Sequence, residues 1–425
     1  MNASMLVLMA IAACAGGIAF LLFKASPRLT VVVWTVVLFF VPVWIGGSAG
    51  FFWAAITLVT LLAVVAGAED IRFTHVDLIV LVFIAMTVTM FGLRMTTLSA
   101  TVIALLEWVL PYAWGRIVLA KVSASFLTKL IAGVATAAAV MALIEFTSGT
   151  NFFVEYLPAL NGGLFAEWGR LQIRAGNTRA EGAWGHSIAL GAAMAMSSAF
   201  VIAAKWPVVV RLLCLAAITA ATVVTFSRIG LLTLVLTAVL SLALLRDVPR
   251  ALKVSVAVAG VAAAAVLVPV IGGVFLEAGD EAGGSADYRG GLFALVSQVQ
   301  LFGGAGDWTG LTVGGEYLGS YARSVDNAFL VFALRFGWIP AILLLLAIVL
   351  AAAAIFRRRG ASPAAIAVAA QLPALFAVAL ITQFGMMLWF LVGLAVAWAD
   401  QNDVFRGDLT SMSRMNAQRA PASLR

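Results

Sequence analysis

Residues 147–185 read TSGTNFFVEYLPALNGGLFAEWGRLQIRAGNTRAEGAWG, and the fold turns on what surrounds them. Apolar segments follow one another almost unbroken up to residue 146 and resume after residue 185. A second polar stretch, 277–325, interrupts the chain in the same manner. Two long polar segments set into serial apolar segments describe a chain that leaves a membrane twice and returns each time.

Composition points the same way. Of 425 residues, 64% are hydrophobic and 11% charged, with 12 Trp and 27 Phe, and mean hydropathy is +1.10. Apolar segments of about 18–20 residues match a hydrocarbon core about 30 Å thick, whereas a transmembrane barrel would show shorter alternating strands. The sequence therefore predicts an all-α, polytopic integral membrane protein. Cys14 and Cys214 both fall inside apolar segments and read as packing residues rather than a disulfide. The net charge of +7 reflects the basic bias of cytoplasmic loops. No basic tract interleaved with aromatics points to nucleic acid.

Apolar spans fall near 5–23, 29–46, 50–68, 78–96, 98–118 and 126–146, then 186–204, 208–226, 229–245 and 252–275, and finally 327–356, 364–381 and 385–399. The last two are either separate spans or one broken helix, so about 12–13 spans are expected. The chain thus divides into N-terminal spans (1–146), a first outer loop (147–185), central spans (186–276), a second outer loop (277–325), C-terminal spans (326–400) and a tail (401–425). Short loops carry Lys24 and Arg28, Arg72, Arg116 and Lys121, Lys205 and Arg211, Arg246 and Arg250, and the run 357–359. If the spans alternate, all of these lie on one side, which the positive-inside bias makes the cytoplasm. Both polar stretches and the turn 226–229 then face outward. The first span has its basic flank after it rather than before it, so it reads as a retained helix, not a cleaved signal.

No soluble segment is long enough for a nucleotide-binding core. There is no P-loop, and Gly303-Gly304-Ala305-Gly306 lacks the strand–helix setting of a dinucleotide fingerprint. Neither HExxH nor CxxC occurs, and with two histidines no metal cluster and no cofactor are expected. Chemistry must use outward-facing polar groups, and these are rich in arginine: Arg170, Arg174 and Arg179, with Glu167 and Glu181, then Arg228, Arg289 and Arg323, and His186 where the chain re-enters the membrane. Arginine suits phosphate because its planar fork donates paired hydrogen bonds and keeps its charge in a low dielectric.

Arg228 carries most weight. In Thr225-Phe226-Ser227-Arg228-Ile229-Gly230 it sits between two apolar spans, on the side where basic residues are scarce. An ionisable residue there is functional or paired; the competing account is an interfacial arginine that snorkels. Arg289, in Asp287-Tyr288-Arg289-Gly290-Gly291, competes with a solvated pair to Asp287, and His186 with a plain helix cap. His75, between Arg72 and Asp77, reads as an ordinary loop residue.

The motifs then fall into an order. Ser227-Arg228-Ile229-Gly230 opens an apolar span. Tyr288-Arg289 precedes a stretch ending in Leu301-Phe302-Gly303-Gly304-Ala305-Gly306, and Asp326-Asn327-Ala328-Phe329-Leu330 leads through Arg335-Phe336-Gly337 into a long apolar helix. This order resembles the O-antigen ligase and O-antigen polymerase superfamily of bacterial surface-polysaccharide assembly, a GT-C-like membrane fold. The run from Arg179 through Trp184-Gly185-His186 to Gly191 is similar to the exopolysaccharide-polymerase branch. The resemblance covers about 179–340 by motif and the rest by hydropathy alone.

The resemblance implies metal-independent glycosyl transfer on the outer face of the bacterial inner membrane, from a glycan linked by pyrophosphate to a polyprenyl lipid. It implies a lipid-linked oligosaccharide, membrane lipids and a chain-length regulator as partners. Arg228 and Arg289 match the family's two arginines; Asp326 stands where the ligases have a histidine, with Asn327 keeping the next position. Asp326, Arg228 and Arg289 are thus the expected catalytic residues, and Arg174, Arg179, His186, Arg323 and Asn327 the expected substrate-binding ones.

The chemistry is consistent without the family. A pyrophosphate leaving group needs its developing charge neutralised, which preorganised arginines supply, and the attacking hydroxyl needs a base, commonly a carboxylate. Asp326 fits, with Asp307, Glu316, Asp287 and Glu181 as rivals, and with helix N-capping as its competing role. The expected function is a polysaccharide polymerase. A ligase acting on lipid A core comes second because the histidine is missing. A flippase of lipid-linked glycans is disfavoured by the lack of duplicated halves with broken helices, and a scaffold leaves the outward arginines without an account.

Overall fold

A computed structural model describes residues 3–49, 51–68, 72–174, 176–277, 292–305, 312–313, 316–317, 325–357 and 361–419. It is 77% helical. The helices in chain order are α1 (Ala3–Ala25), α2 (Pro27–Phe40), α3 (Ala55–Gly67), α4 (His75–Gly92) and α5 (Leu98–Ile103). The last continues through a π-helical turn, Ala104–Val109, into α6 (Leu110–Lys121). There follow α7 (Ala124–Ser148), the short α8 (Phe152–Glu155) and α9 (Gly162–Trp168), then α10 (Ser187–Ala203), α11 (Val208–Val224), α12 (Arg228–Leu244) and α13 (Arg250–Glu277). The chain ends with α14 (Ala328–Phe336), α15 (Trp338–Ala352), α16 (Pro363–Gln371) and α17 (Thr382–Arg419). Strands occur, among the described residues, only as three two-stranded hairpins: β1–β2 (Gly46–Ala49 with Phe51–Ala54), β3–β4 (Ile173–Arg174 with Asn177–Thr178) and β5–β6 (Thr312–Val313 with Glu316–Tyr317).

Among the described residues, five helical stretches are long and apolar enough to cross a membrane: His75–Gly92, Leu98–Lys121, Ala124–Ser148, Trp338–Phe356 and Thr382–Gln401. Others, among them Ser187–Ala203 and Arg228–Leu244, are apolar but shorter. The chain is a helical polytopic membrane protein.

The bundle is centred on α10, whose sequence SIALGAAMAMSSAFVIA buries nearly every residue against α7, α11, α12, α16 and α17. Helices approach closely in a membrane where small residues let backbones meet, and two seams do this. A Cβ at Gly191 would lie 3.4 Å from the Gly230 Cα, so α10 and α12 touch there. On α6 and α17, a Cβ at Gly115 would overlap the Phe390 carbonyl, and one at Gly393 the Tyr112 carbonyl.

The two ends of the bundle differ. One carries Lys24, Lys121, Lys205 and Arg246, and there Asp77 accepts from Arg116 Nε at 2.8 Å and from the Tyr112 hydroxyl at 2.6 Å, while Arg116 also donates to the Arg72 carbonyl at 2.7 Å. This buried pair ties α4 to α6 at the basic end. At the loop-rich end, Gln383 Nε2 donates to the Val41 and Ala183 carbonyls, and the Ala328 and Gly304 amides donate to Val378 and Met95.

Several expected boundaries shift. The span expected at 29–46 stops at Phe40, because the residue before Pro42 is pushed to extended backbone (Val41 φ −116°, ψ 111°). Residues 46–49 and 51–54, partly assigned to the next span, pair as β1 and β2. The single helix expected at 327–356 is two helices: Gly337, at φ 90°, ends α14, and a Cβ there would lie 2.9 Å from Leu301. The last two spans are separate helices packed together, joined by a 3₁₀ turn at Leu372–Phe376 and the break before Thr382. Neither cysteine is in a disulfide, and Cys14 is exposed rather than packed.

Candidate functional site

The first polar stretch is fastened by a carboxylate that the sequence hides in the last turn of an apolar helix. Glu145 of α7 is buried. Its Oε1 accepts from Asn151 Nδ2 at 2.9 Å and from the Glu181 amide at 3.0 Å, and its Oε2 from the Gly182 amide at 2.8 Å. All three partners are donors, which suits an acceptor-only carboxylate. Asn151 in turn caps α8 through the Phe153 and Val154 amides. Both ends of the loop are thus anchored to one point at the top of α7.

Glu181 lies on this floor with no exposed surface. Its Oε1 accepts from the Gln172 amide at 3.0 Å, and its Oε2 has no partner. Burial pushes its carboxyl up to about 8, and the Glu145 charge acts in the same direction against the Gln172 hydrogen bond and Arg179.

Above the floor two arginines grip the turn between α11 and α12. Arg179, 8% exposed, donates from Nε to the Thr225 carbonyl at 2.8 Å and from Nη1 to Gln172 Oε1 at 3.0 Å. Gln172 Oε1 also accepts from Ser187 Oγ at 2.8 Å. Burial, and then the Arg174 charge, lower the Arg179 guanidinium to about 10, so it stays charged near neutral pH. Arg174 Nη1 donates to the Phe226 carbonyl at 3.0 Å. Two guanidinium groups therefore hold consecutive carbonyls immediately before Ser227-Arg228.

That turn is strained. Phe226 has φ 47°, a left-handed conformation unfavourable for a bulky side chain. Arg174, Arg179 and the Phe146 ring, 6.1 Å from that of Phe226, over-determine it, as strain at a working position requires. Ser227 Oγ accepts from the Gly230 amide at 3.1 Å and caps α12. Arg228 is then the first helical residue, and it is exposed. Helix N-termini carry partial positive charge, so the helix does not stabilise an arginine there; arginine and dipole instead add to one field suited to an anion.

His186 is the N-cap of α10: Nδ1 accepts from the Ile188 amide at 3.1 Å, and the ring stands edge-on to Trp168 at 6.0 Å. Burial, and then the Arg179 charge, hold it down to about 3. The imidazole is neutral with its proton on Nε2, a hydrogen-bond donor and not a cation. At α14 the cap is Asn327, whose Oδ1 accepts from the Leu330 amide at 2.9 Å. Asp326, one residue earlier, is not the cap, and it is partly exposed at the loop-rich end.

The structure thus gathers Arg174, Arg179 and His186 with Arg228 around one turn. Arg289, Arg323, Asp287 and Asp307 lie outside the described residues. Among the described residues no three His, Cys, Asp or Glu side chains gather as a metal site would require. Sequence reasoning missed Glu145, Asn151 and Gln172; the one available signal was an acid at the end of an apolar span with an asparagine six residues on. No protein-family model, no curated protein and no solved structure matches this chain.

Proposed function

We propose that the chain is a bacterial surface-polysaccharide polymerase. It moves a glycan from a polyprenyl-pyrophosphate carrier to a second lipid-linked repeat unit at the periplasmic face of the inner membrane, without a metal. The loop-rich end is the periplasmic one, and α1–α4, α5–α6 as one, α7, α10–α13 and α15–α17 are the spans of a GT-C-like fold. The observation that carries the proposal is the seating of Arg228 at the N-terminus of α12, on a strained turn whose carbonyls are held by Arg174 and Arg179. Such rigidity is what a preorganised charge stabiliser needs.

In the transfer, the acceptor hydroxyl oxygen bonds to the anomeric carbon of the donor glycan as the bond from that carbon to the pyrophosphate oxygen breaks. Polyprenyl pyrophosphate leaves as an anion neutralised by Arg228 and, from its place in the motif order, Arg289. The hydroxyl proton passes to Asp326. Arg179 and Arg174 act through the turn, and neutral His186 donates a hydrogen bond. A carboxylate at 326, where the ligases have histidine, favours the polymerase over the ligase. A chain-length regulator is the expected protein partner.

The test is Arg228→Lys in cells deleted for the native gene. It keeps the charge and loses the bidentate fork, so polymer is expected to vanish or fall at least about tenfold at normal membrane levels. Full polymer from this variant overturns the proposal.

A further inference from the structure

Glu181 is a buried acid that the proposed transfer does not use. It has no exposed surface, and its Oε2 meets no partner among the described residues. The two residues before it grip the α11–α12 connection. Arg179 Nε donates to the Thr225 carbonyl at 2.8 Å, and the next amide, that of Ala180, donates to the Val224 carbonyl at 3.1 Å. The end of α11 and the strained turn after it are therefore fastened to the segment that carries the acid. On its other side the Glu181 amide donates to Glu145 Oε1 at 3.0 Å, which brings a second carboxylate to the same backbone.

The charges around Glu181 are unevenly placed. Glu145, from α7, repels a negative charge at 181, and Arg179 attracts one. Arg174 acts on Arg179, and His186, the cap of α10, is neutral. Across the turn Arg228 is exposed, as are Glu155, Tyr156, Glu167 and Arg170 of the first polar stretch. Lys129 of α7 and Arg28 of α2 lie toward the basic end, and α17 has no charged residue before Asp400. Burial keeps the Glu181 carboxyl protonated near neutral pH, up to about 8. Once it ionises, two carboxylates share one buried site, which is costly unless a cation moves in. Arg179 is that cation. It now bonds two neutral acceptors, the Thr225 carbonyl and Gln172 Oε1, whereas a guanidinium–carboxylate bond is charge-assisted and roughly twice as strong.

We propose that Glu181 is a proton-operated latch on the turn before α12: protonated, it leaves Arg179 on the Thr225 carbonyl, and when its proton departs to solvent Arg179 swings to the carboxylate and the turn relaxes. Phe226 is held at φ 47°, and strain of that kind persists only while its surroundings over-determine it. Loss of the Arg179 bond removes one of those restraints. Arg174 keeps its hold on the Phe226 carbonyl, so the turn loosens and does not unfold. Alkaline medium at the loop-rich end thus loosens the seat of Arg228, and neutral or acid medium fixes it. The latch goes beyond the polymerase proposal and does not depend on it, because the moving part is a backbone turn, whatever anion Arg228 receives.

The test is hydrogen–deuterium exchange on the full chain in nanodiscs from pH 6 to 9.5, with labelling times scaled to the intrinsic exchange rate at each pH. The reporters are the Thr225, Phe226 and Gly230 amides, which donate to the Thr222 and Val223 carbonyls and to Ser227 Oγ. Their protection is expected to fall at least about tenfold between pH 7 and 9, because the ratio of ionised to protonated carboxyl rises about a hundredfold over two units. The amides of α10 are expected to keep theirs, which separates the latch from global unfolding. Glu181→Gln has no proton to lose and is expected to hold full protection at pH 9. Arg179→Gln approaches the latch from the other side and is expected to show the loosened turn already at pH 6, with no further step. Flat wild-type protection across the range overturns the inference, as does an alkaline step that survives in Glu181→Gln or in Arg179→Gln. A step confined to residues 180–185, with the turn unchanged, also overturns it, since the acid would then ionise without releasing Arg179. If Arg228→Lys is fully active while the step is present, only the polymerase proposal fails. If Arg228→Lys abolishes polymer while the step is absent from the wild-type chain, only the latch fails.

Discussion

Replacing Glu181 by glutamine is expected to stabilise the protein above neutral pH and to change little below pH 5. The carboxyl is fully buried, one oxygen has no partner, and its value rises from 4.5 to about 8 in the fold. Below pH 4.5 folded and unfolded chains both hold the proton, and the stability it confers is complete. As pH rises toward 8 the unfolded chain releases its proton and the fold does not, so stability falls, and above 8 the fold carries a buried charge. Each unit of separation is worth about 1.36 kcal/mol, which gives roughly 4–5 kcal/mol as a ceiling, lowered by any water that reaches the site. Glutamine keeps the acceptor for the Gln172 amide and has no proton to lose. Unfolding free energies of both proteins, measured in one detergent from pH 5 to 9, should therefore diverge between about 4.5 and 8, with the glutamine variant ahead at pH 9. Parallel curves, or a less stable variant at pH 9, would refute the reasoning.

Asp326→Asn is expected to lower turnover on a defined lipid-linked donor about 10²–10⁴-fold, as loss of a general base does. Asn327→Ala is expected to cost about 1 kcal/mol of stability through the lost cap; wild-type turnover by the aspartate variant removes that residue from the catalytic set. Cysteine probes at 170 and 310 should react with an impermeant reagent from outside, while probes at 248 and 358 stay silent, and the reverse pattern would collapse the site assignment. Gly393→Val should force α17 off the Tyr112 carbonyl and cost about 1–3 kcal/mol or more, measured as a lower unfolding midpoint.

The bundle was legible because apolar runs of membrane length announce themselves. What the runs concealed were places where apolar residues do something else. Phe51-Phe52-Trp53 continues the hydropathy of α3 but pairs as a strand, since Gly46 and Gly47 open a hairpin that hydropathy does not register. Arg174 and Arg179 were legible as cations of the first polar stretch, but not as clamps, because their partners Phe226 and Thr225 are distant in sequence and only the packed fold brings them near. Asn327 as cap shifted the expected role of Asp326 by one residue, a distinction that depends on backbone angles.

The glycine seam between α6 and α17 bears on how this protein can move. A transporter of the rocking kind exchanges access by swinging one half of its helices against the other. Here Gly115 and Gly393, one from each half, bring two backbones into direct contact, and Gln401 Nε2 donates to the Leu119 carbonyl at 3.0 Å near the basic end of the same seam. Sliding by one turn would drive a larger side chain into the space that only a glycine leaves. The first and second halves are therefore joined by direct backbone contact along this seam. Large-scale swinging of one half against the other would have to break that contact.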